Sequence, residues 1–284
     1  MSVRVSSGEH SSARFLERRR KRRRRLLVAS LFLLALVVGG CLYAVWRDSA
    51  RISHVTIYGA DQSLAELATA EMAGSYFGVV PRNSTFFFPA GSIRADIIAA
   101  HPDIAAVSIF RNGITGLSVR LDYRVPIARW CGLAPTEGVA AYCYLFDANG
   151  FIFSALPSEG GSAHSATTSP TVNNFALYAP LAGETLEPLR ANIAHAEQLP
   201  AVFDLARELS TLGSPVENIV FRDDEVDLHT KSGTRVTYVL GNEQNAFTAL
   251  VSAKGNVDLA SGVLEYVDLR FDGKVYLKKR ESAK

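Results

Sequence analysis

The sequence predicts an α+β protein. One membrane-spanning helix lies near the N-terminus, a β-α-α-β-β module follows, and a β-rich domain with packed helices completes the chain. Three observations carry this expectation. An uncharged apolar block follows eight consecutive cations. The next stretch, about 75 residues, switches between period-2 and period-3.6 patterning. Beyond residue 129, short alternating segments separated by turn residues predominate.

The cations are Arg18–Arg25, and the apolar block is Leu26–Trp46, twenty-one residues. As a helix the block is about 31 Å long, close to the roughly 30 Å hydrocarbon core of a bilayer. The apolar region of a secretory signal is shorter, about 7–15 residues. No small-x-small cleavage site precedes Arg51. A lipoprotein signal competes, because Val38-Gly39-Gly40-Cys41 loosely resembles a lipobox. Against it, the apolar run continues past Cys41 to Trp46.

Residues 1–25 hold ten Lys/Arg against Glu9 and Glu17, a net +8; the remainder holds twenty against twenty-six acids, a net −6. Cationic flanks stay cytoplasmic. This predicts a cytoplasmic tail (1–25), a span (26–46) and an extracytoplasmic remainder. A basic tail can also serve nucleic acid. Abutting a span, it suits lipid headgroups instead, and no nucleic-acid role is expected. Of three cysteines, Cys41 lies in the span. Cys131 and Cys143 lie outside, where oxidation is permitted; a disulfide between them is favoured over two free thiols.

Residues 52–58 alternate as a strand, with Val55 and Ile57 on one face, and end at Gly59. Ser63-Leu64-Ala65-Glu66 matches a capping box. Leu64, Leu67, Ala68 and Met72 then recur at helical spacing. A loop with Pro81 and Pro89 leads to a second helix (Ile93, Ile97, Ala100), stopped before Pro102. Val107 and Ile109 begin a strand, Asn112-Gly113 suggests a turn, and Leu117, Val119, Leu121 and Tyr123 alternate strictly. The module spans residues 50–128.

The second domain, 129–280, opens with a hairpin over Ala140–Ser154, turning at Asn149-Gly150. Residues 157–174 read as a polar loop rich in Gly, Ser and Thr. Val202, Leu205, Ala206, Leu209 and Leu212 form a helical face closed by Gly213 and Pro215. Strands are expected at 216–222, 225–230 and 234–240. A helix with Phe247, Leu250 and Val251 ends at Gly255, and strand-like residues 264–280 close the fold.

Catalytic motifs are lacking. There is no GxSxG, HExxH, GxxxxGK[ST] or GxGxxG. The six histidines are scattered, with His195 and His229 expected on surfaces. Asp223, Asp224, Glu225 and Asp227 fit a solvated hairpin turn better than a cation site, since EF-hand spacing is missing. Cys131 and Cys143 lack companions for zinc. A binding protein is favoured over an enzyme, and no metal or cofactor is expected.

Four stretches resemble the bacterial cell-division proteins of the FtsQ/DivIB family. "VTIYG" (Val55–Gly59) is similar to the family's first exterior strand. "LDYRVPIARW" (Leu121–Trp130) is similar to its junction, with Arg124, Pro126, Ala128 and Trp130 in place. "LFDANGFIF" (Leu145–Phe153) resembles its next hairpin, and "YVDLRF" (Tyr266–Phe271) its closing Asp-Leu-Arg-aromatic motif. The order behind a basic tail and single span agrees too. Departures are the lack of a hairpin proline in "NGITGLSV", the 157–174 insertion and Phe271 where many relatives carry Tyr.

The resemblance implies a POTRA-type module at 50–128 and a non-enzymatic scaffold at the division septum. Its implied partners are single-span proteins of the FtsB/DivIC and FtsL types, with further division proteins meeting the POTRA module. It also implies docking at the C-terminal region, which carries Arg270 and Phe271 over as partner-binding positions. Val267, Leu269 and Phe271 would share one strand face, so Phe271 can equally be core. An envelope-assembly or secretion accessory with a POTRA-like domain, or a cell-wall enzyme with unrecognised groups, are the alternatives.

Overall fold

A computed structural model of the chain describes residues 9–59, 63–135, 142–156, 175–183, 185 and 187–280, with side chains from Arg20 onward. The loop expected at 157–174 lies outside the described residues. The chain divides into two compact units: residues 1–100 with 106–122, and residues 101–105 with 123–284.

In the first unit the basic run and the apolar block form one helix, α1 (Glu9–Trp46). Its segment Arg20–Trp46 is long and apolar enough to cross a membrane. The body follows as β1 (His54–Tyr58), α2 (Ser63–Glu71), β2 (Ser75–Tyr76), β3 (Val80–Pro81), α3 (Ala90–Ala100), β4 (Ile104–Asn112) and β5 (Gly116–Tyr123). The order β-α-α-β-β is as the patterning predicts, with a two-residue hairpin, β2–β3, added between the helices. The sheet order is β1-β5-β4, with β1 parallel to β5. Leu64 and Ala68 on one helix, Met72 just past its end, and Ile93 and Ile97 on the other are buried, as are Val107, Leu117, Val119 and Leu121. Helical and strand periods thus converge on one core. Each large side chain so buried stabilises by about 1.5–3 kcal/mol.

The second unit holds β6 (Ala128–Trp130), β7 (Tyr144–Phe146), β8 (Ile152–Ala155), β9 (Ala176–Tyr178), α4 (Leu199–Ser210), β10 (Val216–Arg222), β11 (Glu225–Thr230), β12 (Arg235–Val239), α5 (Glu243–Ser252), β13 (Leu264–Asp268) and β14 (Tyr276–Lys279). Among its described residues nine strands make one sheet, ordered β14-β13-β12-β11-β10-β9-β6-β7-β8. Alternation sorts the two faces. Ile219, Phe221 and Leu177 join the main core with Val202, Phe203, Leu205 and Leu209 of α4 and Ala246 and Leu250 of α5. Val220, Ala176 and Tyr178 point the other way and pack with Cys131 and Cys143.

Those two cysteines are bonded, S–S 2.00 Å, one step beyond the Trp130–Tyr144 pair of β6 and β7. Helix α4 carries proline in its first turn, where a missing N–H costs nothing. It stops ahead of Gly213, at φ +119, where an added Cβ would meet Ala260 Cβ at 2.9 Å.

The junction stretch sides with the second unit. Arg124 N–H donates to Asp103 O at 2.8 Å, and Ile127 N–H donates to Phe146 O at 3.0 Å. The Arg124 side chain donates from Nε to Pro102 O at 3.0 Å and from Nη1 to the Asp147 carboxylate. Its guanidinium also sits 4.0 Å from the Phe151 ring centroid. Asp147 Oδ1 accepts the N–H groups of Asn149 and Phe151, holding the β7–β8 turn. Trp130 Nε1 donates to Ala179 O at 2.8 Å. The junction and hairpin stretches that carry the family resemblance therefore meet at one partly buried ion pair.

Two local expectations are corrected. Asp227 is no part of a solvated turn: it lies within β11, is 4% exposed, and binds Arg222 at 2.8 Å and Thr237 Oγ1 at 2.6 Å. A buried carboxylate needs such partners. His229 is half-buried rather than at the surface, and burial holds its pKa below the ordinary value.

Candidate functional site

The C-terminal end of the sheet presents the most accessible backbone edge of the second unit. β13 pairs in parallel with β12 on one side and antiparallel with β14 on the other. β14 is the last strand in the order, with no partner beyond it among the described residues. All four of its residues are exposed. The opposite edge is less open, because residues 190–193 lie along it: Ile152 N–H donates to Ala191 O at 2.9 Å, and Arg190 N–H donates to Ile152 O at 2.7 Å.

The predicted site residues lie in the turn between β13 and β14. β13 ends at Asp268, so Arg270 and Phe271 are not in the strand. The alternation expected through Phe271 stops with Leu269, which is buried. Phe271 is 51% exposed and outside the core. Its ring meets Tyr276 edge-on, centroids 5.3 Å apart, a favoured aromatic geometry. Phe271 O accepts the N–H of Lys274 at 3.1 Å, closing the turn.

Arg270 is committed within the protein. Nη2 donates to Asp268 Oδ2 at 2.7 Å, Nε to Asp268 Oδ1 at 2.9 Å and Nη1 to Glu225 Oε1 at 2.6 Å. These bonds hold the Asp268 carboxyl below the usual carboxylate range and raise the guanidinium above its own. Arg222 continues the network, bridging Glu225 at 3.4 Å and Asp227 at 2.8 Å. The network stiffens the turn from which Phe271 projects.

Sequence reasoning did not assign Tyr276 and Leu277 to the site, although they fall in the strand-like stretch 264–280. Both side chains are exposed. The lysines Lys274, Lys278 and Lys279 surround them, and Lys278 pairs with Glu265 at 2.8 Å. Beside the turn, α5 residues Asn245, Thr248, Ala249 and Ser252 face Asp272, Gly273 and Val275 across a groove of about 690 Å³. Chemically this is an open sheet edge: unpaired backbone groups among the described residues, three exposed apolar side chains and a cationic rim. Among the described residues no group of three or more His, Cys, Asp or Glu could hold a metal ion.

No family model matches the chain, and no curated protein matches it either.

Proposed function

We propose that the chain is a membrane-anchored, non-enzymatic scaffold of the FtsQ/DivIB type. In this reading it binds division proteins of the FtsB/DivIC and FtsL types at the septum and helps control septal peptidoglycan synthesis. The observation that carries the reading is the open β14 edge with Phe271, Tyr276 and Leu277 exposed beside it. An exposed edge invites strand addition, in which backbone bonds give affinity and side-chain pockets give selectivity. Lysines on such an edge suppress indiscriminate pairing and favour an acidic partner strand. The β-α-α-β-β order of the first unit supports the POTRA reading, the apolar helix supports an anchor, and its cationic flank supports a cytoplasmic N-terminus. Sharing one membrane raises the effective concentration of tethered partners.

Phe271→Ala tests the docking edge. Truncating an aromatic anchor at an interface costs about 2 kcal/mol or more, while an exposed side chain changes stability by about 0.5 kcal/mol. The full chain in detergent is titrated with the exterior segment of an FtsB/DivIC-type protein, alongside a thermal melt. Affinity is expected to fall more than tenfold with the melt near normal. Unchanged affinity means that the partner docks elsewhere. Normal septation in cells depleted of the protein would favour the envelope-assembly alternative. Arg270→Glu is the less specific variant, since it sets a new carboxylate against Asp268 and Glu225.

A further inference from the structure

The first unit carries a second exposed surface that the docking edge does not use. Its large exposed apolar residues include Phe77, Val79, Phe86, Phe87 and Ile114. Hydrogen bonds tie four of them, directly or through Thr85, to the end of α1 and the short segment that leaves it. Trp46 Nε1 donates to Val79 O at 2.6 Å. Thr85 N–H donates to Ala50 O at 3.0 Å, immediately before Phe86 and Phe87. Thr85 Oγ1 donates to Ile114 O. Ile52 N–H donates to Asn83 O at 2.8 Å. Asn83 thus stands at the level of Ile52 and Val79 at the level of Trp46. The β3 segment therefore runs back along the exit toward the apolar helix, and the turn at Phe77-Gly78 is the next step in that direction.

That turn is unusual. Phe77 (φ +52) and Gly78 (φ +73) are successive left-handed residues, a hairpin turn that favours Asn-Gly or Gly-Gly. A bulky aromatic residue is strained there. Phe77 is also 100% exposed, so no burial within the chain offsets the strain. In the same unit cations and rings pair repeatedly: Arg47 over Tyr43, Arg51 over Trp46, Arg82 over Tyr76 and Arg111 over Phe86. Aromatic rings among cations at the end of an apolar helix are what a bilayer interface accepts, and the cations suit anionic headgroups.

We propose that this end of the first unit docks on the outer leaflet of the bilayer, with Phe77 and Phe87 at headgroup level. The inference rests on the reading of Arg20–Trp46 as a span. Continuity with that helix names the occupant: the patch begins where the span ends, within a few residues of Trp46. The consequence is an exterior body held at the membrane surface instead of swinging freely on its tether.

The test uses the full chain with Cys41→Ala, reconstituted in nanodiscs of phosphatidylethanolamine and phosphatidylglycerol. Spin labels are placed singly through Phe77→Cys, Phe87→Cys, Leu34→Cys and Tyr58→Cys. Tyr58 is the aqueous control: β1 leads away from the exit segment, and Tyr58 lies about 13 Å along it from His54. Accessibility to oxygen, which enters lipid, is compared with accessibility to a nickel chelate, which stays in water. The oxygen-to-nickel ratio at 77 and 87 is expected to exceed that at 58 several-fold. Equal ratios at 77, 87 and 58, with the label at 34 buried in lipid, would overturn the proposal and leave the anchor standing. A label at 34 that reads as water would remove the anchor, and the proposal with it. Labels at 77 and 87 that are shielded only after a protein partner is added would assign the patch to protein instead of lipid.

Discussion

Replacing Arg124 with alanine is expected to destabilise the second unit by about 3–4 kcal/mol. Three interactions are removed together. The charge-assisted bond to Asp147 contributes about 1.5–3 kcal/mol. The guanidinium over Phe151, 17% exposed at its side chain, contributes about 1–2 kcal/mol as a cation–π contact. The Pro102 carbonyl also loses its donor. Breaking a buried pair costs about 3–5 kcal/mol when one charge is stranded. The low end applies because Asp147 keeps the N–H groups of Asn149 and Phe151. Urea unfolding of the full chain in detergent, in a Trp46→Phe background, leaves buried Trp130 as the sole tryptophan. Asp147→Asn retains an oxygen for both backbone donors, and the double-mutant cycle with Arg124→Ala is expected to show coupling of about 2 kcal/mol. A single-variant change under about 0.5 kcal/mol, as at ordinary surface sites, would refute this reasoning. So would additivity of the two substitutions.

Removing the Cys131–Cys143 bond with paired alanines is expected to cost about 3 kcal/mol from chain entropy alone, checked by the same urea titration. Intact-mass measurement after alkylation without reductant should find both thiols protected in protein purified from its membrane fraction under non-reducing conditions. Asp268 has a depressed folded pKa, chiefly through its bonds to Arg270. Its contribution to stability is therefore present above its unfolded value of 3.8 and lost as pH falls through the lower folded one. Stability measured from pH 5 down to about 2 should fall less steeply in Asp268→Asn than in the parent protein. Phe77→Gly is expected to raise stability by about 1 kcal/mol by relieving the left-handed turn; a lower melting temperature would count against the strain argument.

Strict alternation made β5 readable, and helical spacing did the same for α2 to α5, because one buried face imposes one period. Elements shorter than a period leave no such trace. β2 and β3 are two residues each and include Pro81, and β6 and β9 are three residues each. Strand order was equally hidden: the parallel pairs β6–β9 and β9–β10 join segments far apart in sequence. At the candidate site the end of β13 was misjudged. Asp268 leaves the alternation to grip Arg270, which turns Phe271 outward instead of into the core. The Arg124–Asp147 pair spans 23 residues, and nothing in local spacing announces it.

β14 has one consequence for the protein's history. Its four residues contribute no side chain to the buried core, so substitutions there carry little folding penalty. Natural selection can rewrite this strand one residue at a time, and a co-diverging ligand segment can follow it, while the scaffold beneath is inherited unchanged. β13, one strand inward with Leu264 and Val267 buried, has no such freedom. Lineages are then expected to differ most in the outermost strand, where cross-recognition between foreign pairs is first lost.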